Sequence, residues 1–228
     1  MDLAPLLAQL ENANLIRLAA AGPELAYLFR HGLIQDAAYA TLLREQRRQW
    51  HLATAEVLEA AYTANPSAAG TAAILANHFS IAGDEQRAVK YLILAADAAF
   101  DQYANAEAIE FHTQAQVALA RARQAAAGEF DPAVVRHIYL RRGQALELTS
   151  ALEAALVNYA ALEAVGREHR DQSLELAGVM ARATIHATAN NLQNVRQAEE
   201  LLERARVLAH NLNDRAVEAQ PEVAQLSH

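Results

Sequence analysis

The stretch LANHFSIAGDEQRAVKYLILAADAAF, Leu75 to Phe100, decides how the rest of the chain is read. Small residues at Ala76, Ala88 and Ala95 alternate with the larger apolar side chains of Leu75, Phe79 and Leu92. Both sets recur at helical spacing on either side of Ala82-Gly83-Asp84. Gly83 suits the left-handed conformation that ends a helix, and Asp84 suits a cap on the next one through its side-chain oxygen. The spacing predicts two helices joined as a tight hairpin, with alanines where they touch.

That spacing resembles the tetratricopeptide (TPR) repeat, a helical hairpin of roughly 34 residues. Its eighth, twentieth and twenty-seventh positions are small, and its fourth, seventh, eleventh and twenty-fourth are bulky. With Ala88 at the twentieth position, Ala76, Phe79, Leu92 and Ala95 fall where small, large, large and small residues are expected. A chance alanine-rich helix pair is the alternative, but the pattern returns. Tyr139, Gly143, Leu146, Ala155 and Tyr159 take the fourth, eighth, eleventh, twentieth and twenty-fourth places, with Arg142 replacing the usual Leu and Leu162 a small residue. Ala198, Leu202 and Ala205 anchor a further repeat, although His186 stands where Gly or Ala is expected. Ala108, Phe111 and Ala115 suggest another helix so soon after Ala88 that the intervening helices must be phased differently from the ideal motif. From Asp214 the chain reads as a repeat cut short, with Pro221 starting or kinking the next segment, as in a piece of a larger protein.

Composition supports an all-α array. Hydrophobic residues make up 53% of the 228, a share inflated by alanine, the best helix former, against 8 Gly and 5 Pro. A net charge of -8 argues against general nucleic-acid binding, because a polyanion is repelled by most of the surface. The absence of cysteine removes disulfide and thiol chemistry and fits a reducing cytoplasm. No run of about 18 apolar residues is free of charges, so no membrane span is expected. The apolar start of the chain has no basic flank of the kind a secretion signal carries.

Ahead of the repeats, Leu3 to Asn12 has helical spacing. Leu15 to Ala19 and Leu25 to Phe29 read as strands around Ala21-Gly22-Pro23-Glu24. Leu33, Ala37, Ala40 and Leu43 then share one helical face, and Trp50, Ala53, Val57 and Leu58 another. The order Phe29-Arg30-His31, Ile34-Gln35, Ala38-Tyr39, Leu42-Leu43, Arg47-Arg48 and His51 resembles the junction of winged helix and TPR region in bacterial STAND-type signalling ATPases. These include large LuxR-type activators and adenylate or guanylate cyclases fused to an ATPase. Tyr62 to Ser67 breaks the helical period at Pro66 and is expected to be a loop. The expected organisation is a partial winged helix with connecting helices over 1–61 and TPR-like repeats over 69–228. Helices are expected near 71–82, 85–102, 105–126, 132–149, 152–169, 172–189 and 194–211.

No phosphate-loop, nucleophile-elbow or zinc-helix motif is present, and Glu168-His169-Arg170-Asp171 has only the letters of a kinase loop. Nothing pairs a nucleophile with a base, so no enzyme, cofactor or metal is expected. The nine histidines are scattered, and His51, His78, His112, His137 and His210 form no pair one turn apart on one helix. The STAND resemblance implies that His31 contacts the β-phosphate of ADP in the parent protein. Helix capping or packing is the other reading of His31. Arg44, Arg47 and Arg48 form a basic cluster for an acidic face of the ATPase or for a nucleic acid, or simply a solvated face. In the best repeat His137, Arg141, Gln144 and Glu147 have groove-facing phases, with Arg141 suited to a carboxylate. The Lys and Asn pattern of chaperone-tail clamps is absent. The expected function is a non-catalytic sensor or protein-interaction module whose groove takes a protein, a peptide or a small effector. A free-standing TPR scaffold is the alternative, and exposed repeat ends are compatible with a homodimer.

Overall fold

The computed structural model describes residues 3–21, 25–64, 70–125 and 131–218. Among them are ten helices and one two-stranded antiparallel sheet, an all-α helical-repeat fold with a small β-hairpin. They fall into two compact units, Met1–Ala53 and Thr54–His228.

The first unit contains α1 (Ala4–Asn12), β1 (Ile16–Ala21), β2 (Leu25–Phe29), α2 (Gly32–Thr41) and the start of α3 (Arg44–Ala64). β1 pairs with β2 from Ile16↔Phe29 to Ala21↔Leu25, with an irregularity between Leu18 and Ala20. Gly22, Pro23 and Glu24 of the expected turn lie outside the described residues. The apolar faces expected to be buried on α2 and α3 are largely open. Leu33, Leu43 and Trp50 are between 65% and 82% exposed, and so is Val57, where α3 continues into the second unit.

The second unit begins within α3, earlier than the expected boundary, because the latter part of that helix packs on the side chains of Arg87 and Tyr91. Ala55 is fully buried, and Glu59 accepts hydrogen bonds from Tyr91 Oη at 2.7 Å and Arg87 Nη1 at 3.3 Å. The expected loop at Tyr62, Thr63 and Ala64 is instead the last turn of α3, with Thr63 bonding back to the Glu59 carbonyl. Asn65, Pro66 and Ser67 lie outside the described residues. The remaining helices are α4 (Thr71–Ala82), α5 (Glu85–Asp101), α6 (Asn105–Gln124), α7 (Pro132–Leu148), α8 (Leu152–Glu168), α9 (Gln172–Ala187) and α10 (Val195–Glu218). The expected truncated repeat at Asp214 is a continuation of α10 as far as Glu218, and Pro221 lies outside the described residues.

One turn, used again and again, builds the stack. After α4, α5, α7 and α8 a residue adopts positive φ, at Gly83, Tyr103, Ser150 and Arg170. The next backbone N–H then reaches a carbonyl five residues back: Asp84 to Phe79, Ala104 to Ala99, Ala151 to Leu146 and Asp171 to Gly166. This closure satisfies the orphan carbonyls of the preceding helix and reverses the chain within two or three residues. Asp84 and Asp171 then cap α5 and α9 through their side chains. The kinase-like letters Glu168 to Asp171 thus form a helix end and a turn.

From α4 to α10 each helix packs on its sequence neighbours, and α5 also meets α7 while α7 also meets α9. These three therefore share one layer, with α6 and α8 behind them. All six anchors of the Leu75 to Ala95 frame are buried. Phe79 stacks on Tyr91 with ring centroids 5.6 Å apart. Gly143 admits the buried ring of Tyr159, which a methyl group there would strike. Backbones approach most closely at two glycines outside the expected frame, and a Cβ on Gly166 would sit 2.4 Å from the Glu175 nitrogen. A Cβ on Gly178 would sit 2.7 Å from the Tyr159 carbonyl and 2.8 Å from the Glu163 nitrogen. In the last repeat the expected anchors Ala198 and Ala205 are buried, and only Leu202 departs. Leu201 is buried, while the expected anchor Leu202 is 45% exposed beside Leu176 and Met180. His186 is nevertheless accommodated, buried with Nδ1 at 3.0 Å from the Leu192 carbonyl in the long α9–α10 connection.

Candidate functional site: the face of α5 and α7

The phase of α7 sends His137 and Arg141 toward α5, where they meet side chains one turn apart. His137 Nε2 lies 3.0 and 2.9 Å from the two carboxylate oxygens of Asp97. Arg141 Nε donates to Asp97 at 3.4 Å, and its Nη2 stands 3.6 Å from Asp101. The same guanidinium lies over the Phe100 ring, 4.2 Å from its centroid. Two of the four expected groove residues are therefore already engaged by α5.

The other two diverge. Gln144 is exposed and joins Ala133, Arg136, His137, Leu140 and Arg141 around a cavity of about 340 Å³. Glu147 turns away and accepts from Tyr159 Oη at 2.5 Å, so it is a packing residue. Arg136, absent from the expected groove set, lines the same cavity and donates to Ser173 Oγ at 3.4 Å. A second cavity of about 400 Å³ lies beside it, lined by Gln86, Val89, Lys90, Ile93 and Leu94 of α5 and by Val134 of α7. Its wall is almost entirely aliphatic. The face thus presents an apolar hollow and a cationic hollow.

Beneath this face lies a buried polar layer. His112 of α6 is fully buried, neither ring nitrogen finds a partner among the described residues, and its ring lies 6.1 Å from that of His137. Burial pushes its pKa down to about 4, assisted by His137, Arg141 and Arg142 and opposed by Asp97. Arg142, unusual for its repeat position, spans two helices by donating to Thr113 at 2.9 Å and to Asn158 at 3.1 Å. Asn158 also accepts from Gln116 and donates to the Tyr139 carbonyl. A hydrogen-bonded strut stands at a position the repeat usually gives to an apolar side chain.

The remaining expected residues sit in the first unit. His31 precedes α2 in extended backbone, exposed, and its side chain makes no capping bond. Its backbone carbonyl accepts from Ile34 and Gln35. Arg44, Arg47 and Arg48 do not form one basic surface. Arg47 bends back over the end of α2, donating to the carbonyls of Leu42 at 3.1 Å and Ala40 at 3.2 Å and covering the Tyr39 ring. Tyr39 in turn meets His51 at 3.0 Å. Arg44 and Arg48 are exposed.

Among the described residues no group of three or more His, Cys, Asp or Glu side chains could hold a metal ion, and no helix is long and apolar enough to cross a membrane. Comparison with protein-family models, curated proteins and solved structures gives no match.

Proposed function

We propose that this chain is a non-catalytic TPR-type interaction and sensor module of a cytoplasmic STAND-class regulator. The observation that carries the reading is the shared layer of α5, α7 and α9, set by one recurring turn, with two hollows open on its face. A stack of hairpins offers such a face because its polar backbone is satisfied within each helix and its side chains are left for a ligand. The first unit supports the regulator part of the reading. Its helix and β-hairpin are those expected at the end of a winged helix, and Leu33, Leu43 and Trp50 offer apolar surface to a covering domain.

In this mechanism a partner docks on the α5–α7 face and binds one state of the regulator better than the other, which shifts the balance between them. His31 stands at the entry to α2 with its ring exposed, and in the intact regulator it senses the β-phosphate of ADP. The reading predicts a phosphate-loop ATPase encoded upstream of Met1 in the same reading frame. A frame without one leaves a free-standing scaffold. In the intact regulator His31→Ala is expected to weaken ADP retention and raise basal output, and unchanged ADP affinity removes that role. A photo-cross-linker at Gln144, on the face, should capture a partner that one at Val157 on α8 does not, and equal capture at both positions defeats the binding-face reading.

A further inference from the structure

The two hollows differ in chemistry, and α5 and α7 fix their spacing. Asp97 pairs with His137, and one turn further on Asp101 approaches Arg141, so the helices run side by side in the same direction. In that register the apolar hollow, centred near Lys90, lies about 12 Å along the helix axes from the cationic hollow, at 1.5 Å rise per residue. An extended chain covers that distance in about four residues.

The cationic hollow has hydrogen-bonding capacity left over. A guanidinium carries five N–H donors. Arg136 directs one bond to Ser173 at 3.4 Å, and Arg141, stacked on Phe100, makes only long polar contacts, 3.4 Å to Asp97 and 3.6 Å to Asp101. Gln144 adds an amide donor at the rim. Asp97 is held closely by His137, whereas Asp101 is 74% exposed and only loosely engaged. An incoming carboxylate can therefore replace Asp101 at Arg141 and bind both arginines without breaking the Asp97–His137 contact.

We infer that this face binds an extended acidic segment of a protein partner, placing a large aliphatic side chain between Val89, Ile93, Leu94 and Val134 and a carboxylate about four residues away on Arg136 and Arg141. The inference rests on the interaction-module reading and names the class of partner. Val89, Ile93, Leu94 and Val134 make most of the first hollow's wall aliphatic and suit an apolar side chain there, so the segment alternates in character instead of being uniformly acidic. In the free protein Asp101 acts as a placeholder for the ligand carboxylate, and the ligand competes with it.

The test uses the whole 228-residue chain, labelled with nitrogen-15, and NMR titration to millimolar concentration of a ten-residue Gly/Ser peptide carrying one Leu and one Glu four positions apart, in both orders. Shifts are expected at residues 86–101 and 133–144. Replacing the peptide's Leu by Ser, or its Glu by Gln, should weaken binding about tenfold, the scale of one buried aliphatic side chain or one charged hydrogen bond. Arg136→Gln and Arg141→Gln should weaken the parent peptide and leave the Gln-substituted peptide unchanged. Asp101→Asn alters an exposed side chain and should tighten the parent peptide at least twofold. Binding that ignores the peptide's Leu or Glu, shifts mapped to other helices, no binding at all, or a weaker complex with Asp101→Asn overturns the inference. A partner cross-linked through Gln144 whose capture is indifferent to Arg136 and Asp101 overturns it as well, while leaving the interaction-module reading in place.

Discussion

His112 is the residue whose environment is hardest to reconcile with its chemistry. It is an imidazole with no partner among the described residues, surrounded by Asp97 from α5 and by His137, Arg141 and Arg142 from α7. Burial keeps it neutral down to about pH 4. The unfolded chain takes up a proton on this ring near pH 6.5, and the folded chain does not. Between those limits the unfolded state binds more protons, so this residue makes stability fall as the pH is lowered, by up to about 1.4 kcal/mol per unit. His112→Leu, of similar size and with no polar atoms to satisfy, should be more stable than the native chain at pH 5 and show a flatter decline between pH 6.5 and 4. Urea denaturation across that range measures the difference. A variant less stable at every pH would show that an ordered water serves the ring. Nothing in the sequence distinguishes this histidine from the other eight, because its burial is decided by helices packed from both sides.

At the scale of the element, helices were more legible than their contacts. Boundaries over 71–82, 85–102 and 152–169 fall within a residue of α4, α5 and α8, because Ala-rich runs propagate helix and Gly83 and Asp84 mark an end and a start. The other turns carried no glycine to announce them. Tyr103, Ser150 and Arg170 adopt the left-handed conformation because the returning helix makes it worthwhile, a tertiary reward that local propensity does not contain. The frame missed only at Leu202, because the buried face of α10 runs through Ala198, Leu201, Ala205 and Leu208 and leaves Leu202 at its edge. Asp97 and His137 were out of reach for a different reason: no local rule pairs residues so distant in sequence. The turn itself is testable. Ser150 is exposed, with φ of 61°, and Ser150→Gly removes the Cβ that makes this conformation costly. The gain should be about 0.5–1 kcal/mol, seen as a higher midpoint in urea, offset in part by the freer unfolded chain. Ala154→Gly, exposed within α8, should lower the midpoint, which separates turn strain from a general effect of glycine.

For the second unit as a whole, neighbour-to-neighbour packing implies that damage stays local. Glu163 is the case that shows it. This carboxylate is 2% exposed and receives Arg182 from α9 at 2.5 Å, Arg204 from α10 at 2.7 Å and Arg167 from its own helix at 3.4 Å. Burial alone would raise its pKa, but hydrogen bonds and charge from Arg204 and Arg182 outweigh it and hold the carboxyl below the ordinary range. A depressed carboxyl contributes stability that is complete above its unfolded pKa, near 4.3, and is lost as the pH falls through the folded value. Glu163→Gln leaves three arginine side chains facing a neutral amide and should cost about 3 kcal/mol at pH 7, the scale of breaking a buried pair, with the loss shrinking in acid. Because a repeat array behaves as a sum of local units and interfaces, the cost should be confined to the hairpins that meet at Glu163. Hydrogen exchange should quicken in α8, α9 and α10 and remain unchanged in α4 and α5, where Phe79 and Tyr91 pack independently. Equal acceleration in all seven helices would mean that the stack unfolds as one cooperative body. The α5–α7 face would then feel every substitution made in the last hairpin.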